Sequence, residues 1–215
     1  AVDHRTPRYV RIVAGFKKAA ENAKAAGFDG VEVHGANGYL LDEFLRDGSN
    51  KRSGPYGGSL ENRARLMLEV LDAAISVWGA DRVGLRISPL NSYNSMLDSD
   101  PVGLSTYIAQ QCSQRGIAYL HMMRADFFQA QQGDVITPAR QHFKGVLISN
   151  MGYTADEAEQ AIAEGKLDAV AFGTSFLANP DLPARIAAKA PLNAPNASRF
   201  YSPGPEGYTD YPTMS

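Results

Sequence analysis

Three side chains that handle protons and carbonyl oxygens fall within six residues of each other: His34, Asn37 and Tyr39, in His34-Gly-Ala-Asn-Gly-Tyr39. They follow an apolar run, Phe28–Val33, that reads as a strand. An imidazole N–H and a carboxamide N–H can both donate to one oxygen. A carbonyl whose oxygen is so held is a better electrophile, because negative charge builds on that oxygen in the transition state. The Tyr39 hydroxyl is then a proton source for the neighbouring carbon. Taken alone, His34 is better read as a hydrogen-bonded structural histidine; Asn37 and Tyr39 beside it favour the substrate-binding role. Arg86 lies inside a second apolar run, Arg82–Ser88. A guanidinium buried there needs a partner, and within the chain Glu32 or Asp181 could serve.

The elements that must position these groups alternate. Helical spacing covers 9–26 with Gly27 as its cap, 40–45, 60–77, 103–114, 139–143, 155–164 and 182–189. Thr154 and Glu157 form a capping-box pattern before the helix over 155–164. Short apolar strands are expected over 28–33, 82–88, 117–122, 145–149 and 169–172. A Gly-, Ser- and Asn-rich loop covers 47–59, and the tail from Pro191 is irregular. Every connection is long enough for a crossover, which predicts a parallel sheet with helices outside. Five β units in about 165 residues is the density of a (β/α)₈ barrel, where eight take roughly 250. The chain reads as α/β and a single domain over 1–215.

Bulk properties narrow the function. The chain has 215 residues, 44% hydrophobic and 20% charged, with a net charge of -2. That balance gives no electrostatic case for nucleic acid or an anionic membrane. One cysteine, Cys112, rules out an internal disulfide and fits a reducing, cytoplasmic setting. No apolar run reaches the length that spans a bilayer, and Ala1–Arg8 lacks the apolar segment of a signal peptide. No His/Cys/Asp/Glu spacing suits a metal. His4 and His142 lack supporting neighbours.

Six stretches carry a family resemblance: 34–40, Asn50–Arg63 (Asn-Lys-Arg-Ser-Gly-Pro-Tyr-Gly-Gly-Ser-Leu-Glu-Asn-Arg), Gly84–Pro89, Ala171–Gly173, Ala178–Asp181 and Gly207–Pro212. In this order they resemble the Old Yellow Enzyme family of FMN-dependent ene-reductases. The resemblance implies a TIM barrel of which this chain supplies about five β/α units, strands four to eight. The first three strands have no counterpart.

The resemblance also implies chemistry. Hydride would pass from NADPH or NADH to FMN and on to the β-carbon of an enone or related electrophilic alkene, with Tyr39 protonating the α-carbon. His34 and Asn37 would hold the substrate oxygen, and Tyr201 would border the pocket or else pack outside the barrel. Arg86 would face the flavin pyrimidine. The phosphate would sit on the loops Ser149–Gly152 and Phe172–Thr174, bringing in Asn150, Met151, Gly152, Gly173 and Thr174. Many family members carry Arg where this chain has Thr174, so phosphate would bind more weakly or rest more on backbone N–H groups. The missing barrel half is expected from the same gene product, a second chain or self-association. The alternative is a non-catalytic barrel fragment that acts as an interaction or assembly module.

Overall fold

Five short strand segments organise the chain. The computed structural model describes residues 6–214; His4 lies outside them. Strands β1 (Val31–Gly35), β2 (Val83–Ile87), β3 (Tyr119–Met123), β4 (Val146–Asn150) and β5 (Ala169–Val170) form one parallel sheet in sequence order. Crossovers are helical: α2 (Leu40–Leu45) and α3 (Leu60–Trp78), then α4 (Pro101–Arg115), α5 (Ile136–His142) and α6 (Ala155–Ala163). Helix α1 (Thr6–Ala25) precedes β1, and α7 (Thr174–Ala178) and α8 (Leu182–Ala188) follow β5.

One sheet face is dry. Val33, Leu85, Ile87, Leu120, Met122 and Leu147 are buried with Leu66, Met67, Leu71, Ile108 and Cys112 of the helices. Because successive strand residues point to opposite faces, the other face receives Glu32, His34, Arg86, Tyr119, His121, Met123 and Asn150. Register aligns His34, Arg86, His121 and Ile148 across four strands. Among the described residues β1 pairs only with β2 and β5 only with β4, so the sheet is open at both sides.

Several boundaries differ from the sequence reading. Strand β1 begins at Val31, not Phe28, and includes His34 and Gly35. Phe28 belongs to the end of α1: its N–H donates to Ala23 O at 3.3 Å and that of Gly27 to Lys24 O at 3.1 Å, with Gly27 at φ 87°. This is a Schellman closure, which uses up the residues that resembled a strand start. Helix α5 starts at Ile136, ahead of Pro138. Asp134 accepts from the N–H groups of Ile136 and Thr137, each at 3.0 Å, and proline is tolerated in a first turn. Helix α7 was not foreseen, and β5 is two residues long. The capping box at Thr154 and Glu157 is present, and Ser59 caps α3.

Candidate active site

The loop between β1 and α2 turns through left-handed backbone. Asn37 has φ 60° and Gly38 φ 75°. Asparagine is among the few side chains that visit this region readily. The Asn37 N–H donates to Ser88 Oγ at 2.7 Å, and its carbonyl accepts from Asn94 Nδ2 at 2.9 Å. Its side-chain Oδ1 accepts from Asn91 Nδ2 at 3.0 Å. Gly38 N–H donates to Asp42 Oδ2 at 2.9 Å. A Cβ on Gly38 would lie 2.5 Å from that of Asn94, so the close approach of the two loops also requires glycine. Tyr39 is the residue before α2 and makes no capping bond, which leaves its ring exposed, 5.4 Å from the His34 ring.

A buried polar floor supports this loop. Arg46, fully buried, donates from Nη1 to Ser88 O at 2.9 Å and from Nη2 to Gln131 Oε1 at 2.8 Å, and lies 3.7 Å from Asp42. Burial pushes the Asp42 carboxyl up to about 6, against the downward pull of Arg46 and of the Gly38 N–H. Asp126 performs the equivalent task for the mouth. It accepts from the N–H and hydroxyl of Ser92 and from the N–H groups of Phe128, Ala130 and Gln131, at 2.7–3.1 Å. Burial works against its charge, but these donors outweigh burial and hold it at about 2. The loop so fixed presents Phe127 and Phe128, with Tyr93 stacked on Phe128 at 6.3 Å.

On the sheet's polar face His121 Nδ1 lies 3.1 Å from Glu32 Oε2. Burial raises the Glu32 pKa, but His121 and Tyr119 bring it below the usual range. Tyr119 reaches Glu32 across Gly84: a Cβ on Gly84 would sit 2.2 Å from the Tyr119 ring. Neither acid considered for Arg86 is its ion-pair partner, since Glu32 holds His121 and Asp181 holds Arg185 at 2.8 Å. Arg86 has no ion-pair partner among the described residues, and burial lowers its pKa although Glu32 opposes this. Burial, then the charge of Arg86, lowers the His34 pKa against Glu32. The shift favours the neutral imidazole of His34, which offers one N–H.

Asn37, Tyr39, Arg86, Asn150 and Tyr201 line one cavity of about 280 Å³ at the C-terminal ends of the strands. His34 adjoins it through Tyr39. Met151, Gly152, Gly173 and Thr174 are not in its wall. The carbonyls of Met151 and Gly152 are taken by Arg124 at 2.8 Å each, and its guanidinium lies 3.6 Å over the Tyr153 ring. Met123, at the end of β3, lines the cavity too; so do Asn91, Tyr93 and Phe127, which were not foreseen. The pair of aromatics Phe127-Phe128 in a loop was the available signal; Asn91 left none.

The model of the NADH:flavin oxidoreductase / NADH oxidase family matches residues 10–193. The chain belongs to that family. It is 54% identical over 206 residues to a probable flavin mononucleotide-dependent alkene reductase of Leishmania infantum, covering 96% of this chain and 55% of that protein. It is 46% identical over 216 residues to 12-oxophytodienoate reductase 1 of rice, covering 98% and 57%. The old yellow enzyme of Trypanosoma cruzi superposes with a TM-score of 0.92 at 47% identity, over 95% of this chain and 55% of that one. Morphinone reductase gives 0.93 at 43%, over 97% and 57%. The chain thus spans a little over half of these relatives, and its open sheet is part of their barrel.

The polar groups in and beside the cavity, donors and acceptors both, fit a flavin. Asn150 Oδ1 and His121 Nε2 are buried without a hydrogen-bond partner among the described residues, and Arg86 is a half-buried cation on the same face. A ring with alternating donors and acceptors satisfies such groups.

Proposed function

We propose that this chain carries the substrate clamp and part of the flavin site of an FMN-dependent ene-reductase that reduces the C=C bond of α,β-unsaturated carbonyl or nitro compounds with NADH or NADPH. The observation that carries the reading is the convergence of Asn37, Tyr39, Arg86 and Asn150 on one cavity, with Arg86 making no ion pair among the described residues. Bound FMN supplies two-electron relay from the nicotinamide to the alkene. Arg86 and Asn150 would hold its ring; Met151, Gly152, Gly173 and Thr174, at the ends of β4 and β5, would bear its phosphate.

His34, neutral, and Asn37 donate to the substrate oxygen and stabilise the charge that builds there as hydride reaches the β-carbon. Tyr39 donates its hydroxyl proton to the α-carbon and regains one from solvent, to which its ring is open. Tyr201, fully exposed at the edge of the cavity, would border bound substrate. Further β/α units, from the same gene product or another chain, would pair with the free sides of β1 and β5 and complete the flavin site.

A visible spectrum of the purified chain, alone and with phenol, tests this. A flavin band and a long-wavelength charge-transfer band with phenol are expected. His34→Ala and Asn37→Gly should each weaken phenol binding by about tenfold or more, as loss of a charge-assisted hydrogen bond does. The unpaired edges of β1 and β5 favour a second reading, an assembly module without catalysis. A chain that stays colourless with added FMN, even when further β/α units are supplied, would establish it.

A further inference from the structure

Asn37 serves as a donor only if its carboxamide is turned with Nδ2 toward the cavity. A carboxamide without fixed neighbours turns either way. Its fixed neighbour is Asn91, 3% exposed, in the loop after β2. Asn91 Oδ1 accepts from the backbone N–H of Tyr93 at 3.4 Å and of Phe127 at 3.3 Å. A backbone N–H only donates, so this end of Asn91 must be its oxygen. Its Nδ2 is left facing Asn37 and donates to Oδ1 at 3.0 Å. That interaction occupies the acceptor of Asn37 and leaves its Nδ2 for the cavity.

We propose that Asn91 is a positioning residue that sets the polarity of the substrate clamp: acting through Asn37, it keeps a hydrogen-bond donor, not an acceptor, aimed at the substrate oxygen. The identity of the ligand rests on the ene-reductase reading; the orientation of Asn37 does not. The instruction originates in two loops, because one backbone donor belongs to the β2–α4 connection and the other to the β3–α5 connection. Asn91 thus makes the sense of the clamp depend on both loops being in place.

The test turns on Asn91→Asp, which keeps the shape and both backbone bonds but has no proton to offer. Asn37 then rotates to donate to the new carboxylate and presents Oδ1 to the cavity. Phenol affinity, read from the charge-transfer band, is expected to fall about tenfold to a hundredfold. Asn91→Leu only frees Asn37 and falls less. A residue with a merely structural role gives the opposite order, because Asp preserves the bonds that Leu loses.

The new charge could itself repel a phenolate, so both changes are repeated on Asn37→Gly. Glycine keeps the φ of 60° without strain and lacks the side chain. The Asn91→Asp loss is expected to vanish in that background; an equal loss in both overturns the proposal. A second readout needs no flavin. In the ¹⁵N-asparagine-labelled chain, the Asn37 side-chain amide, assigned by its absence in Asn37→Gly, should move downfield in Asn91→Asp. If it does not move, the proposal fails whether or not the chain binds FMN. If it moves in a chain that never binds flavin, the ene-reductase reading fails and the positioning role stands.

Discussion

Arg46→Ala should be among the most damaging single changes in this chain, and the damage should depend on pH. Arg46 is fully buried and holds Ser88 O and Gln131 Oε1 at 2.9 and 2.8 Å. Its removal leaves Asp42, 3.7 Å away, as a buried carboxyl without a cation. Breaking one side of such a pair costs about 3–5 kcal/mol, which for a chain of this size lowers Tm by about 10–15 °C. Asp42 already titrates near 6 in the fold, against 3.8 for the free group. A carboxyl raised on folding adds stability below its unfolded pKa and loses it as pH rises through the folded value. Without Arg46 the folded value rises further, so the variant gains more than the wild type on acidification. The Tm deficit should therefore be larger at pH 8 than at pH 5. Thermal melts of both proteins across that range decide it. A variant that melts within about 2 °C of wild type at pH 8, or a deficit that grows toward pH 5, would refute the reasoning.

Other measurements probe other parts of the framework. Asp126→Asn keeps the shape but removes the charge that gathers donors from two loops; a loss of about 1–3 kcal/mol is expected by chemical denaturation. Because the folded pKa of Asp126 is about 2, below its free value of 3.8, its contribution is present above pH 4 and is lost as pH falls toward 2. Cys112 is fully buried and burial pushes its thiol up to about 12, so a disulfide reagent such as DTNB should find no thiol in the native chain and one in denaturant. Gly84→Ala drives a methyl into the Tyr119 ring and should cost about 1–3 kcal/mol. Gly15→Ala, in mid-helix with open space around it, should stabilise by about 0.5–1 kcal/mol; melting curves of the two variants should move in opposite directions.

What could be read from residues alone follows a physical division. Strand burial and helix faces are local patterns, so the alternating order and the parallel sheet were legible, as was the cap at Thr154. The cluster His34, Asn37 and Tyr39 was legible because its chemistry is concentrated in one loop. The support beneath it was not. Arg46, Ser88, Asn91, Asp126 and Gln131 come from three separate segments, and each looks like an ordinary polar residue until the fold brings it in. Ion pairing also escaped: Glu32 and Asp181 were reasonable partners for Arg86, yet each had a nearer basic group, His121 across the sheet and Arg185 one helical turn on. Phe28 misled for a simpler reason, since a helix closure and a strand start both favour a large apolar residue there.

The five hydrogen bonds gathered by Asp126 have a consequence for traffic into the cavity. They join the segment carrying Phe127 and Phe128 to the one carrying Ser92 and Tyr93, so two sides of the mouth behave as one rigid frame. A molecule meeting such a frame is sorted by its outline at first encounter, with no swinging door to wait for. Binding transients should then be single-exponential and linear in ligand concentration, without the plateau that a slow opening step imposes. Little loop freedom remains to be frozen when the site fills, and selectivity among bulky alkenes becomes a matter of passage past Tyr93 and the two phenylalanines.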